Sequence, residues 1–103
     1  MIDHWTPAEK TAARVIFDRA VARARKEILD RHRDNKITEL DDLWEYELEI
    51  REWRKEFHEV FQYKYSRLHL CFAICLRRGW LQVEELRGLS EERIESLKRI
   101  LSF

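Results

Sequence analysis

Residues 43–60 read LWEYELEIREWRKEFHEV, and the spacing of the apolar residues in this stretch decides the fold class. The apolar positions alternate in steps of three and four residues: Leu43, Tyr46, Ile50, Trp53, Phe57 and Val60. An average period of about 3.5 residues is typical of a long helix that packs against another helix. A second apolar stripe runs beside the first and consists of Leu40, Trp44 and Leu48. A helix with two apolar faces is expected to contact more than one neighbour.

This predicted helix is long for so small a protein. Thr38 and the acidic residues after it predict a helix start near Glu39, because oxygen acceptors and negative charge stabilise the amino end of a helix. A helix from about residue 39 to 62 would be about 36 Å long, whereas a globule of about 100 residues has a radius of gyration of about 13 Å. We therefore expect the helix to extend beyond the core of one chain and to pair in a homodimer.

An earlier helix is predicted from the residues before position 34. Thr6, Pro7 and Glu9 supply an N-cap hydroxyl, a proline at the first helical position and the glutamate of a capping box. An alanine-rich stripe follows at helical spacing: Ala13, Phe17, Ala20, Ala24 and Ile28. Small residues on this stripe allow another helix to approach closely. The polar run at residues 34–36 ends the pattern.

The apolar run at residues 70–76, LCFAICL, fits either a buried helix or a buried strand. We predict a helix, because no second strand is available to pair with it. Arg77 and Arg78 also form a basic last turn before Gly79, which is a typical helix C-terminus. The preceding residues 63–66 fit either a continuing helix or a turn.

The last part of the chain predicts two short helical segments. Residues 83–87 form a helical turn that Gly88 ends, and Ser90 is placed to cap a final helix. Glu91 and Glu92 lie at the positive end of that helix. Its apolar residues are Ile94, Leu97 and Leu101.

The composition bounds the fold and excludes several classes of protein. A chain of 103 residues is expected to form one domain over residues 1–103. Two Gly and one Pro are too few for the turns of an all-β domain, so we predict an all-α fold with a long central helix and a smaller C-terminal helical head. Neither glycine-rich phosphate-binding motif is present. No segment reads as a membrane span or a signal peptide, and a soluble cytoplasmic protein is expected.

Residues with catalytic or metal-binding chemistry are sparse. Cys71 and Cys75 lie four apart within the apolar run, where two thiols on one helix are poor disulfide partners, so we predict reduced, buried side chains. The four histidines lack the spacings of helical metal sites: His4, His32, His58 and His69. We therefore predict a non-enzymatic protein with no metal site and no cofactor.

Charge is segregated along a chain whose formal net charge is zero. Residues 14–36 carry eight basic and four acidic residues, residues 39–59 carry three and nine, and residues 64–78 carry four and none. This pattern fits either solvated helix faces or a surface that selects an oppositely charged partner. Zero net charge disfavours nucleic acid, although the basic face of the first helix keeps that hypothesis open. Trp53 is interpreted as a core residue, whereas Trp44 fits burial or a partner anchor equally well.

A set of motifs resembles the fluorescence recovery protein family. The segment ITELDDLWE at residues 37–45 is similar to the start of the family's central helix, and Arg54 follows ten residues after the tryptophan. Further matches occur in order: Tyr63-x-Tyr65-Ser66, Phe72-Ala73, Gly79-Trp80-Leu81 and Glu84-Glu85-Leu86-x-Gly88-Leu89. The resemblance covers residues 10–101. It implies a helical homodimer that binds the photoactivated orange carotenoid protein of cyanobacteria, detaches it from the phycobilisome and accelerates its return to the orange resting form.

The resemblance also implies roles for individual residues. Trp44, Glu47, Leu48 and Arg54 match the surface that acts on the partner, and the family's dimer helix carries Leu43, Ile50, Trp53 and Phe57 at the matching positions. Active members usually carry an acidic residue four after the tryptophan, often preceded by histidine, where this chain has Leu48 and Glu47. Gln62 replaces a family acid and Lys64 a family arginine. The alternative reading is a diverged dimeric helical adaptor with another protein partner.

Overall fold

The computed structural model describes residues 4–102, and helices dominate them. The four helices are α1 Pro7–His32, α2 Leu40–Val60, α3 Leu68–Arg78 and α4 Glu91–Leu101. A short 3₁₀ turn, Val83–Leu86, lies between α3 and α4. Within residues 4–102 there is no strand, and the one β-type contact is an isolated bridge between Arg87 and Leu89. The predicted all-α class and the choice of helix for residues 70–76 are therefore confirmed.

The amino end of α1 follows its sequence signals. The Thr6 hydroxyl accepts a hydrogen bond from the Glu9 amide at 3.1 Å, and the Thr6 amide donates to the Glu9 carboxylate at 3.3 Å. Of the predicted stripe, Ile28 is only half-buried, and Ile16 joins the buried residues instead. The remaining stripe residues are buried as expected: Ala13, Phe17, Ala20 and Ala24.

Helix α2 starts where predicted and ends two residues early. The Asp42 carboxylate accepts hydrogen bonds from the Thr38 amide at 3.2 Å and the Glu39 amide at 3.1 Å, which fixes the first turn. At the other end, Phe61 leaves the helical conformation with φ −96° and ψ 70°. Its ring packs against Phe57 at 4.8 Å and Trp80 at 5.6 Å between centroids. Aromatic packing therefore ends the helix at Val60, and residues 63–66 lie outside it.

The core lies between α1, α3, α4 and the 3₁₀ turn. Its largest fully buried apolar side chains are Ile16, Leu68, Phe72, Leu81, Leu86 and Leu97. Within the last helix Leu97 is buried, Ile94 is half-buried and Leu101 is exposed. None of the residues of α2 is buried, and the helix reaches this core mainly through Phe57 and Val60, together with Phe61 directly after its carboxyl end.

Both glycines adopt positive φ, but their surroundings differ. Gly79 ends α3 with φ +79°, as predicted, and a Cβ there would meet open space. Gly88 has φ +100°, and a Cβ there would lie 2.5 Å from the Cβ of Ala12. The absent side chain at Gly88 therefore lets the loop before α4 approach α1 closely.

A buried ion pair joins the amino ends of α1 and α4. Arg93 is 1% exposed, and its Nε donates to the Glu9 carboxylate at 3.0 Å. The guanidinium also lies 3.6 Å from the ring centroid of Trp5 and donates to the His4 carbonyl. Burial raises the pKa of Glu9, but hydrogen bonds from Ser90, Arg93 and Thr6 hold it at about 2. Glu9 therefore stays ionised in the folded protein.

A second set of polar contacts holds the 3₁₀ turn against α1. The Arg23 guanidinium forms a bidentate ion pair with the Glu85 carboxylate, in which Nη2 lies 2.7 Å from Oε2. These hydrogen bonds lower the pKa of Glu85 to about 2. The Trp80 indole donates to Glu27 at 3.0 Å. The C-terminal elements are therefore fastened along α1 by several long-range contacts.

Helix α2 runs back along α1 and gives the molecule an elongated shape. Near the connecting turn His32 meets the Tyr46 ring edge-to-face at 5.3 Å, and at the other end Phe17 meets Phe61 at 5.8 Å. The principal extents are 53 × 24 × 22 Å and the radius of gyration is 16.4 Å. A compact chain of this length has a radius of gyration of about 13 Å. The expectation that α2 extends beyond the core is confirmed.

Candidate partner-binding surface

The side of α2 turned away from its own chain carries a cluster of uncovered apolar side chains, which we call the outer apolar face. It comprises Leu40, Trp44 and Leu48, with exposed fractions of 58%, 62% and 49%, and lies beside Leu43, which is predicted for the dimer interface and is 46% exposed. Of the two interpretations of Trp44, burial is therefore wrong, because its indole faces solvent. Exposed apolar clusters of this kind mark interaction surfaces in soluble proteins.

Two of the predicted site residues are charged, and their environments differ. The Glu47 carboxylate is held by Arg51, one turn along α2, with contacts of 3.0, 2.7 and 2.6 Å. Arg54 is exposed, and within residues 4–102 no acidic side chain lies within ion-pair distance of it. The carboxylate of Glu47 is thus paired inside the chain, whereas the guanidinium of Arg54 is available to a partner's acceptor.

The geometry of α2 brings the apolar and cationic features onto one side. Ten residues separate Trp44 from Arg54, which places them about 15 Å apart along the axis and about 80° apart around it. Both side chains lie outside the surface by which α2 contacts α1, where Tyr46 meets His32. A partner segment about three turns of helix long would reach both.

The residues predicted for the dimer interface lie on one stripe but are used differently within the chain. Leu43 is exposed, and Ile50 is half-buried. The Trp53 ring stacks on Phe57 at 5.0 Å, and Phe57 in turn packs against the chain's own core. The stripe therefore changes along α2 from free surface near Leu43 to intramolecular packing near Phe57. Trp53, predicted as core, is half-buried.

Cys71, Cys75 and His69 are at least half-buried and contact other side chains of the same chain. Cys71 and Cys75 are buried free thiols, as predicted. The hydrogen bond with Cys71 and burial raise the pKa of the Cys75 thiol far above its ordinary value. His69 contacts the Ser96 hydroxyl at 3.2 Å, and burial lowers its pKa. Among residues 4–102, no group of three or more His, Cys, Asp or Glu side chains is placed to hold a metal ion.

Two features of the site region were absent from the sequence predictions. Arg51 was not assigned a role, although its position four residues after Glu47 is the spacing of a helical ion pair. The exposure of Leu40 was also not predicted, because a helical stripe does not reveal which neighbour covers it.

None of the helices within residues 4–102 is both long and apolar enough to span a lipid bilayer.

Comparison with known proteins agrees with this geometry. The sequence profile of the photoprotection regulator fluorescence recovery protein matches residues 5–101. The chain is 28% identical to the fluorescence recovery protein of Synechocystis sp. PCC 6803 over 98 residues, which cover 93% of this chain and 90% of that protein.

Solved structures show the same likeness in three dimensions. The fluorescence recovery protein of Fremyella diplosiphon superposes with a TM-score of 0.91 at 28% identity, covering 97% of this chain and all of that one. The Synechocystis structure superposes with a TM-score of 0.83 at 26% identity, covering 89% and 97% of the two chains. The match therefore includes the arrangement of all four helices. The chain belongs to the family of the photoprotection regulator fluorescence recovery protein.

Proposed function

We propose that this protein is a non-enzymatic cytoplasmic regulator that binds the photoactivated orange carotenoid protein and accelerates its return to the resting form. Its action would end photoprotective quenching at the phycobilisome. The observation that carries the proposal is the outer apolar face, on which Trp44 is 62% exposed and which is continued along α2 by Arg54. Membership of a family of photoprotection regulators supports this class of client, and the exposed surface of α2 supports binding there.

The proposed mechanism is differential binding. A regulator accelerates relaxation when it stabilises the transition state between two states of its client more than the photoactivated state. In this proposal Trp44 is the apolar anchor that the client covers, and Arg54 pairs with an acceptor of the client. The chain acts as one domain and as a homodimer through α2, and the reaction requires no cofactor from it.

The test is the red-to-orange relaxation of photoactivated orange carotenoid protein with and without this protein. Wild-type protein is expected to accelerate relaxation, and Trp44→Ala and Arg54→Ala are each expected to weaken the effect about tenfold, the usual scale for an interface anchor. Arg25→Ala is the matched control, because Arg25 is an exposed cation on α1 that forms no ion pair. Unchanged kinetics with an excess of wild-type protein, across carotenoid proteins from several sources, would reject the proposal.

Leu48 gives a second test and favours a second candidate function. Its side chain is 49% exposed at the position where active members usually carry an acid, and the neighbouring Glu47 is held by Arg51. The surface therefore offers no free carboxylate at these two positions. We expect weak activity on the carotenoid protein that Leu48→Asp increases. If neither protein accelerates relaxation, a diverged adaptor with another protein client is the better reading.

A further inference from the structure

A second surface, distant from the outer apolar face, combines aromatic rings with cations. It is formed where the amino end of α1 meets the segment between α2 and α3, and we call it the cation–aromatic strip: Lys10, Arg14, Tyr63, Lys64, Tyr65 and Arg67. Ring centroids of Tyr63 and Tyr65 lie 5.7 Å apart, and Tyr65 lies 5.7 Å from Trp5. Tyr63 also contacts the Phe17 ring edge-to-face at 5.0 Å. The rings of Trp5, Tyr65 and Tyr63 thus form a continuous row of contacts, which reaches α1 at Phe17.

Two cations of the strip are held in place by these rings. The Lys10 ammonium lies 5.0 Å from the centroid of Tyr65, and the Arg14 guanidinium lies 4.7 Å from that of Tyr63. Lys10 and Arg14 are one helical turn apart on α1, so the two cations that contact the Tyr65 and Tyr63 rings lie on the same face of that helix. Side chains ordered before binding lose less conformational entropy when a ligand arrives. Because the rings already order these two cations, binding of an anionic partner costs less side-chain entropy.

The charge of the strip is poorly compensated within the chain. Arg14 pairs with Asp18 at 3.3 Å. Lys10, Lys64 and Arg67 are exposed, and within residues 4–102 no acidic side chain lies within ion-pair distance of any of them. Helix α3 begins directly after Arg67 without a side-chain cap and without an acidic residue in its first turn. The positive end of that helix adds to the local positive potential.

We propose that the cation–aromatic strip binds an acidic segment of a protein partner. The strip follows the carboxyl end of α2, at least about 24 Å along the helix from Trp44, so it is a contact separate from the outer apolar face. A protein segment fits better than nucleic acid, because residues 39–59 of the same chain carry nine acidic residues against three basic ones. That acidic helix would repel an extended phosphate backbone while leaving room for a short peptide.

Fluorescence anisotropy with labelled peptides tests this proposal on the full chain. The probe is a twelve-residue peptide of repeated Asp-Glu-Phe, compared with the same peptide carrying Lys in place of both acids. The test variant is Lys64→Glu with Arg67→Glu, and because both side chains are exposed the fold is expected to stay intact. The control is Arg25→Glu with Lys36→Glu, which changes the net charge equally at exposed cations that form no ion pair.

We expect the acidic peptide to bind and the basic peptide not to bind. Charge reversal at Lys64 and Arg67 should weaken binding about tenfold, while the control variant changes it less than twofold. Binding should also disappear near 1 M salt, where the Debye length falls to about 3 Å.

Equal weakening in both variants, equal binding of the two peptides, or tighter binding of RNA than of the acidic peptide would overturn the proposal. A loss of dimer mass in the Lys64 and Arg67 variant would show that a second copy of this chain occupies the strip, and would also overturn it. Relaxation of the carotenoid protein is not used as a readout, so this result stands or falls separately from the proposed function.

Discussion

Replacing Glu9 with glutamine is expected to destabilise the fold by about 2 to 3 kcal/mol. The folded protein lowers the pKa of this carboxyl from 4.5 to about 2. At about 1.4 kcal/mol for each pH unit, this difference corresponds to about 3 kcal/mol, and screening near the surface of a small domain reduces it somewhat. Glu9→Gln keeps the size of the side chain but removes the charge that faces Arg93, which is 1% exposed. Burial of the arginine is then no longer compensated by that carboxylate.

The pH dependence of stability gives an independent test of the same pair. Because the pKa of Glu9 is lower in the folded state than in the unfolded state, its contribution is fully present above about pH 4.5 and is lost as the pH falls toward about 2. Wild-type protein should therefore lose more stability over this interval than Glu9→Gln does. Glu85 also titrates there with a pKa of about 2, but it is present in both proteins and its effect cancels in the comparison.

Urea unfolding followed by circular dichroism measures both effects, at one protein concentration so that dimerisation contributes equally. Glu84→Gln is the matched control, because Glu84 is exposed and forms no ion pair, and it should change stability by less than about 0.5 kcal/mol. Combining Glu9→Gln with Arg93→Met should cost less than the sum of the two single changes. A stabilising Glu9–Arg93 ion pair is excluded if Glu9→Gln behaves like Glu84→Gln at neutral pH and loses as much stability as wild type in acid.

Three further outcomes are expected. Light scattering during gel filtration should give the mass of a dimer for the wild-type protein, and a mass of 12.7 kDa would contradict this prediction. Leu43→Glu should shift the dimer toward monomer, because it places a charge in an apolar contact. Gly88→Ala should lower the free energy of unfolding by about 2 to 3 kcal/mol and Gly79→Ala by about 1 kcal/mol, because only at Gly88 does the added Cβ meet Ala12. Equal decreases in melting temperature for the two variants would show that the close approach to Ala12 is unimportant. Trp80→Phe should lower the free energy of unfolding by about 1 kcal/mol more than Glu27→Gln, because glutamine keeps an acceptor for the indole N–H. Equal urea midpoints for the two variants would argue against that hydrogen bond.

Helix limits were predictable where a local signal sets them. The capping box of Thr6 and Glu9, the hydroxyl of Ser90 and the glycine at position 79 act within a few residues of chain, and each is found in the structure as predicted. The end of α2 was misplaced by two residues because contact of Phe61 with distant rings decides it. Sequence patterns describe neighbours along the chain, so a boundary set by tertiary packing escapes them.

The buried polar contacts show the same limit. Glu9 was recognised as a capping residue, but its ion pair with Arg93 spans 84 positions of sequence. A charged residue in the first turn of an exposed-looking helix gives no local sign of burial. Likewise the apolar stripe of α2 was correctly placed on one helix, while its division into free and covered parts depends on where α1 and the core end. The position of the apolar stripe was therefore predictable from the sequence, and its accessibility was not; the roles of its residues stay predictions.

The separation of the outer apolar face from the core has an evolutionary consequence. Leu40, Trp44 and Leu48 make few contacts with their own chain, so substitutions there change the folding free energy of that chain little. The residues that hold the fold, such as Phe72 and Arg93, lie elsewhere and are fully buried. If α2 contacts the client as proposed, selection can therefore alter this contact without a prior gain in folding stability. Under the proposed function, a leucine at position 48 is a change that this scaffold tolerates, because the exposed side chain contributes little to the core.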